Sequence, residues 1–228
     1  MLASGMQNMD ILRISWIVSA WYRVQGNSQV TAPKLREGFT GQEMHVIPRP
    51  TLSQARKHPL LGPLCPTDVG WYPRARYHFR ERPSGAPEHH LMLCINGQGT
   101  VEVSGNAHTL RSGQILVIPS HRRHRYWADD RVPWSIYWMH FEGADALHFL
   151  ENLPGPGVPV AIDAVAQRSA VALFRQCLGI LDGGYSMPNL ICAAQTARHL
   201  LAVLLVQLPT RAANARPANE NRLEKTLE

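Results

Sequence analysis

Between residues 69 and 141 apolar and polar positions come in short runs. Turn residues break them at roughly 8–12 residue intervals, the signature of an all-β domain. The stretch 113–126, GQILVIPSHRRHRY, is the clearest case. Gly113 opens it, Ile115, Leu116, Val117 and Ile118 form a strand, Pro119 stops that strand, and His124 begins the next one after a basic turn. Residues 76–82 alternate, with Tyr77 and Phe79 on one face and Arg76, His78, Arg80 and Arg82 on the other. The run 83–87 reads as a loop. Residues 90–95 read as an apolar strand ending at Asn96-Gly97, a hairpin signal. Strands over 100–103, 108–110 and 115–119 follow, the first two joined by a turn at Ser104-Gly105-Asn106. Residues 134–141 are apolar or aromatic at nearly every position, as a strand covered on both sides must be.

The pattern then changes period. Residues 153–160, LPGPGVPV, contain three prolines and two glycines, which exclude a helix or a central strand. A helix is predicted over 165–181, stopped by Asp182-Gly183-Gly184, and a second over 190–208, stopped by Pro209. In the second, Leu190, Ala194, Ala197, Leu201, Leu204 and Leu208 fall at alternating spacings of four and three, a heptad seam. Leu200 and Leu205 widen the stripe to a second face. Two faces imply two partners, the barrel and the same helix of another copy; the alternative is one broad stripe facing the chain's own core. The predicted organisation is an N-terminal extension or arm over 1–43, a β-barrel over 44–152, a helical dimerisation region over 153–208, and a linker with the start of a further helix over 209–228. The apolar run 11–24 of the first segment carries Arg13 and Arg23 and lacks the layout of a secretory signal. That segment is either disordered, a misassigned start, or an arm packed over the barrel.

Composition adds bounds. No uninterrupted apolar run reaches the roughly 18 residues that span a bilayer, so no membrane partner is expected. The four cysteines (Cys65, Cys94, Cys177, Cys192) are scattered without a CxxC pair, which points to buried free thiols in a cytoplasmic protein rather than to disulfides. A net charge of +6 suggests either a nucleic-acid surface or solvated arginines. The arginines gather on the strand 74–82 and the turn 122–125 instead of forming one helical stripe, and an arginine-lined pocket for a sugar or an anion accounts for the first group. No GxSxG, HExxH, P-loop or helix-opening GxGxxG is present.

The run 113–126, with its Gly, Pro and His, resembles the second motif of the cupin barrel. PWSIYWMHFEG at 133–143 narrows the likeness to the effector-binding domains of AraC/XylS-type transcription regulators, over about residues 60–228. The resemblance implies a mainly β fold, a cupin-like double-stranded β-helix or jelly roll, followed by helices through which such domains pair as homodimers. It also implies a small-molecule effector, and DNA contacted only through a C-terminal helix-turn-helix domain; Asn221-Arg222-Leu223-Glu224 resembles the lead-in to one. The chain thus looks like the sensor and dimerisation part of a longer regulator.

Metal cupins use two histidines spaced HxH, a glutamate and a further histidine. Aligned on Asn96-Gly97, those positions hold Ser84, Ala86, His90 and His124. Two imidazoles without a carboxylate make a poor redox or hydrolytic site, so no metal, cofactor or catalytic residue is expected. His90 and His124 then either hydrogen-bond inside the barrel or anchor a ligand. The sugar-sensing relatives imply the site residues: Arg82 before Pro83, Tyr126 two residues past His124, and Trp138 as a stacking platform. Ile136 stands where the arabinose sensor has a polar contact, which argues against arabinose. Simple burial would turn Tyr77 and Phe79 inward; Arg80 and His78 join the set if the arginine face turns inward instead, with Tyr77 and Phe79 packed under the C-terminal helices, or if a β-bulge switches the parity. The competing classes are a metal-dependent cupin isomerase or dioxygenase and a purely structural dimerisation domain.

Overall fold

Ten strands pair into two antiparallel sheets in this computed structural model, which describes residues 33–151 and 155–206. Expectations that fall on 1–32, 152–154, Leu208 and 209–228 lie outside the described residues. The described residues from Lys34 onward form one unit. The strands are β1 (Glu43–Val46), β2 (Cys65–Tyr72), β3 (Phe79–Arg82), β4 (His89–Asn96), β5 (Gln98–Val103), β6 (Asn106–Arg111), β7 (Gln114–Ile118), β8 (His124–Ala128), β9 (Ser135–Glu142) and β10 (Val160–Ala161). The larger sheet has the order β1-β2-β9-β4-β7-β10 and the smaller β3-β8-β5-β6. Among the helices, α1 (Arg49–Ala55) and α2 (Ala146–Leu150) are short; α3 (Ala164–Asp182) and α4 (Met187–Val206) are long. Mainly antiparallel strands in a two-sheet barrel followed by helices are the fold expected from the sequence.

Two cores lie on the two faces of the larger sheet. Between the sheets, Met92, Leu116, Ile118, Val101, Leu110, Trp134 and Ile136 pack together. On the outer face, Leu91, Leu93, Ile115, Tyr137, Met139 and Phe141 pack against Phe174, Cys177, Leu190, Ala194 and Leu201 of the long helices. Period 2 therefore splits β9 into an inward set (Ile136, Trp138, His140) and an outward set (Tyr137, Met139, Phe141). Burial on both faces is why that stretch reads as continuously apolar.

Several expectations are corrected. The helices cover the larger sheet, not the smaller one. Tyr77 and Phe79 are therefore not packed under them: Phe79 is half-buried with the Lys34 Nζ 4.1 Å above its ring, and Tyr77 sits in a turn at φ 64° before β3 starts. The outer face of the smaller sheet meets water and carries the exposed Arg125–Glu102 ion pair at 2.7 Å. Asn96-Gly97 is not a hairpin turn. It is a corner, because β4 and β5 belong to different sheets, and Gly97 takes φ 68° there with its Cα against the Pro133 carbonyl. Three cysteines are buried, their thiols pushed up to about 12 by burial, but Cys192 is exposed on α4.

The seam assigned to a second copy is occupied by the chain itself. Leu190, Ala194, Ala197, Leu201 and Leu204 are all buried, none above 4% exposed, against α3 and the larger sheet. They take the core-facing alternative, since a stripe that closes the outer core is not free for a partner. The opposite stripe of α4, Cys192, Gln195, His199, Ala202 and Val206, faces outward. Helix α4 is also long and apolar enough to cross a membrane by length and composition, with mean hydropathy 1.5. Gln195, Arg198 and His199 interrupt it, so no unbroken apolar run reveals this in the sequence. Its buried face closes the core of this fold.

Candidate functional site

The mouth of the barrel opens into a narrow cavity between the sheets. Its walls are Tyr72 from β2, His78, Arg80 and Arg82 at and before β3, His90, Leu91 and Met92 from β4, Tyr126 from β8, and Ile136, Trp138 and His140 from β9. Strand register produces this set. Arg80 pairs with Tyr126 and Arg82 with His124, so the even positions of β3 and β8 point inward together. Across the larger sheet, Tyr72 lies beside Ile136, Trp138 lies between Gly70 and Met92, and His140 lies between Asp68 and His90. His78, Arg80 and Arg82 therefore line the cavity, while Arg76 is exposed in the preceding turn. The alternation separated the two faces and left open which of them lines the cavity; the covering of helices offered for an inward arginine face does not hold.

Seven of the eight residues proposed from the sequence line the cavity: Arg82, Arg80, His78, His90, Tyr126, Ile136 and Trp138. The eighth, His124, stands behind it, its ring 4.9 Å from that of His90 and 6.0 Å from Tyr126. Arg82 Nη1 donates to the Tyr126 hydroxyl at 3.5 Å. Glu88 is paired with Arg49 at 2.7 Å. Trp138 lies flat because Gly70 opposite it has no side chain; a Cβ there would overlap the indole. Trp134 is a core aromatic whose Nε1 donates to His78 Nδ1 at 3.2 Å. Tyr137 faces the helices, stacked on Phe174 at 5.2 Å. Of Trp134, Tyr137 and Trp138, only Trp138 lines the cavity.

The sequence reading missed Tyr72, Met92, His140 and, behind His140, Asp68. His140 was within reach of it, because it shares the inward parity of Ile136 and Trp138. Asp68 was not, since only the pairing of β2 with β9 brings it to His140. Asp68 Oδ2 accepts from His140 Nδ1 at 3.0 Å and from the Thr67 hydroxyl at 2.7 Å. The His140 ring stacks on His90 at 3.8 Å.

Desolvation governs the electrostatics. Burial holds the His78 imidazole down at about 3, with Arg80 and Arg82 adding to the effect. Burial likewise lowers His90, and His140, Arg82 and His124 lower it further. Burial lowers His124 against the opposing Arg122 carbonyl. At His140 burial outweighs the upward pull of Asp68. At Asp68 burial pushes upward, but the hydrogen bonds from His140 and Thr67 prevail and keep the carboxyl below its ordinary range. At neutral pH the cavity thus presents neutral imidazoles, two guanidiniums and no carboxylate of its own.

Four buried atoms have no hydrogen-bond partner among the described residues: His90 Nδ1 and Nε2, His124 Nε2 and Trp138 Nε1. Each such atom costs about 1–3 kcal/mol, and a polar ligand or water would relieve it. The histidines lie stacked or edge-on rather than converging, and among the described residues no three His, Cys, Asp or Glu side chains are placed to hold a metal ion.

Residues 70–220 match the family of the AraC-like ligand binding domain. The chain is 36% identical over 171 residues, 72% of its length, to the MmsAB operon regulatory protein of Pseudomonas aeruginosa, and spans 54% of that relative. It therefore covers about half the length of the curated relative it matches. Among solved structures it is similar to KdgF from Halomonas sp. (18% identity, TM-score 0.30, covering 46% of this chain and 81% of that one). It is also similar to a Cupin 2 conserved barrel domain protein from Salinispora arenicola (16% identity, TM-score 0.29, 39% and 71%). The chain belongs to the AraC-like ligand-binding domain family.

Proposed function

We propose that this chain is the sensing part of a DNA-binding transcription regulator. It binds a small molecule, a sugar or more narrowly a sugar acid, between the two sheets, and passes that occupancy to a helix-turn-helix domain through a homodimer in the cytoplasm. One observation carries the reading. A cavity walled by Arg80, Arg82, Tyr126 and Trp138 has three unpaired buried ring nitrogens on its lining residues His90 and Trp138, which is binding chemistry without a nucleophile or a metal cage. A guanidinium fork suits vicinal hydroxyls or a carboxylate, and a flat indole suits the C–H face of a pyranose. The absence of acidic residues from the wall favours the acid over the neutral sugar. The regulatory name of the Pseudomonas relative supports control of transcription. For the homodimer, the outward stripe Cys192, Gln195, His199, Ala202 and Val206 of α4 is the surface we assign to the second copy, because it is exposed and carries no acidic or guanidinium group.

The test is a thermal-shift screen over sugars, sugar acids and aromatic acids. A bound ligand raises the melting temperature by mass action, by about 2.7 kcal/mol of stabilisation at a hundredfold excess over Kd. Arg82→Met should keep its own melting temperature and lose the ligand-induced rise. A rise that survives in that variant would place the ligand elsewhere.

A further inference from the structure

Asp68, His140 and His90 lie in one row across β2, β9 and β4, and neither the sequence motifs nor the reading above gives Asp68 and His140 a task. It is built like a site. His90 is only 2% exposed, both of its ring nitrogens lack partners, and it lines the cavity together with His140. His140 is fixed by its Nδ1 contact to Asp68, which leaves Nε2 as the nitrogen free to accept a proton. We propose that Asp68 and His140, with His90 stacked on the latter, form a specificity-determining subsite that admits a small carboxylate by taking up a proton from solvent as the ligand binds. This rests on the cavity being an effector site.

The charges around His140 carry the argument. From β2 it faces Asp68, with Tyr72 further along; from β4, His90, with Glu88 just before the strand; from β3, Arg80 and Arg82; from β8, His124 and Tyr126. Arg82 is the charge common to the imidazoles, since it disfavours protonation of His78, His90, His124 and His140 alike. Only at His140 does a carboxylate in direct contact oppose it. A ligand carboxylate paired with Arg82 cancels the repulsion that Arg82 exerts. His140, the imidazole that a carboxylate touches, then gains a proton at Nε2 and becomes a donor to the ligand while Asp68 holds its other side. The midpoint of His140 is higher in the complex than in the free protein. Affinity for the anion therefore rises as pH falls through the complex's midpoint, and levels off below that of the free protein. A neutral ligand leaves Arg82 uncompensated and takes up no proton. The row thereby discriminates acid from neutral analogue.

Ring-proton NMR titration of the histidines tests this, the His140 signal being the one lost in His140→Gln. Saturating acetate, and D-gluconate against its uncharged relative sorbitol, are the probes. The carboxylates should raise the His140 midpoint by about one pH unit, sorbitol should not, and Asp68→Asn should abolish most of the rise. Arg82→Glu tethers a carboxylate at the same place and should raise the midpoint with no ligand present. If that variant and the wild type titrate His140 at the same pH, the subsite is wrong even where the effector site stands. If the variant raises it, yet no carboxylate or neutral compound shifts the melting temperature of the wild-type chain, the effector site is wrong and the proposal falls with it.

Discussion

Single side chains decide what the cavity can hold, and glycines decide where those side chains lie. Trp138 lies across the sheet because Gly70 leaves its place empty. Gly70→Ala should push the indole off that strand, at about 1–3 kcal/mol by overpacking, and should shift the tryptophan emission. Unchanged emission and stability would mean that the indole is not held by that contact. Arg82 differs in kind: it is partly exposed at a strand end, so Arg82→Met should leave stability within about 0.5 kcal/mol while removing ligand response. Urea midpoints measured beside the thermal-shift screen separate the two. Ile136 lines the cavity as an apolar wall between Tyr72 and Trp138, which fits a ligand face without a hydroxyl at that point.

At the scale of elements, helix α4 is where reading the period alone fell short. The heptad spacing is real, but spacing records that a face is covered and not what covers it. Here the cover is α3 and the outer face of the larger sheet. Leu201→Glu should therefore unfold the chain, because it buries an unpaired carboxylate, rather than yield a stable monomer; circular dichroism distinguishes these outcomes. Ala202→Arg, on the outward stripe, should keep the fold and halve the sedimenting mass. An unchanged mass would remove that stripe as the dimer surface. The strand 76–82 holds the converse lesson. Its alternation grouped His78, Arg80 and Arg82 on one face without saying where that face points, and the helices that were meant to cover its other face lie on the opposite sheet.

For the whole molecule, the buried imidazoles couple stability to pH. Histidines held neutral by burial keep folded-state values below the unfolded 6.5, and for His78 that value is about 3. The unfolded chain takes up protons first as pH falls, so their contribution is complete above about 6.5 and is lost as pH drops from there toward 3, by at most about 1.4 kcal/mol per pH unit per group. Urea midpoints should fall steeply between pH 7 and 5; a flat profile would show that these rings are not buried neutral. By itself the sequence determined the two periodicities, the turn residues, the two-sided burial of residues 134–141 and the shared parity of His78, Arg80 and Arg82, because those are properties of neighbours along the chain. It also held the motif likeness that the family match now establishes. Only the tertiary structure decided that Asn96-Gly97 turns a corner between sheets, that the leucine seam of α4 is consumed internally, and that Asp68 meets His140 and His90. These depend on which strand lies beside which, and pairing between segments about seventy residues apart is set by the packing of both cores at once, leaving no local trace for a period or a motif to reveal.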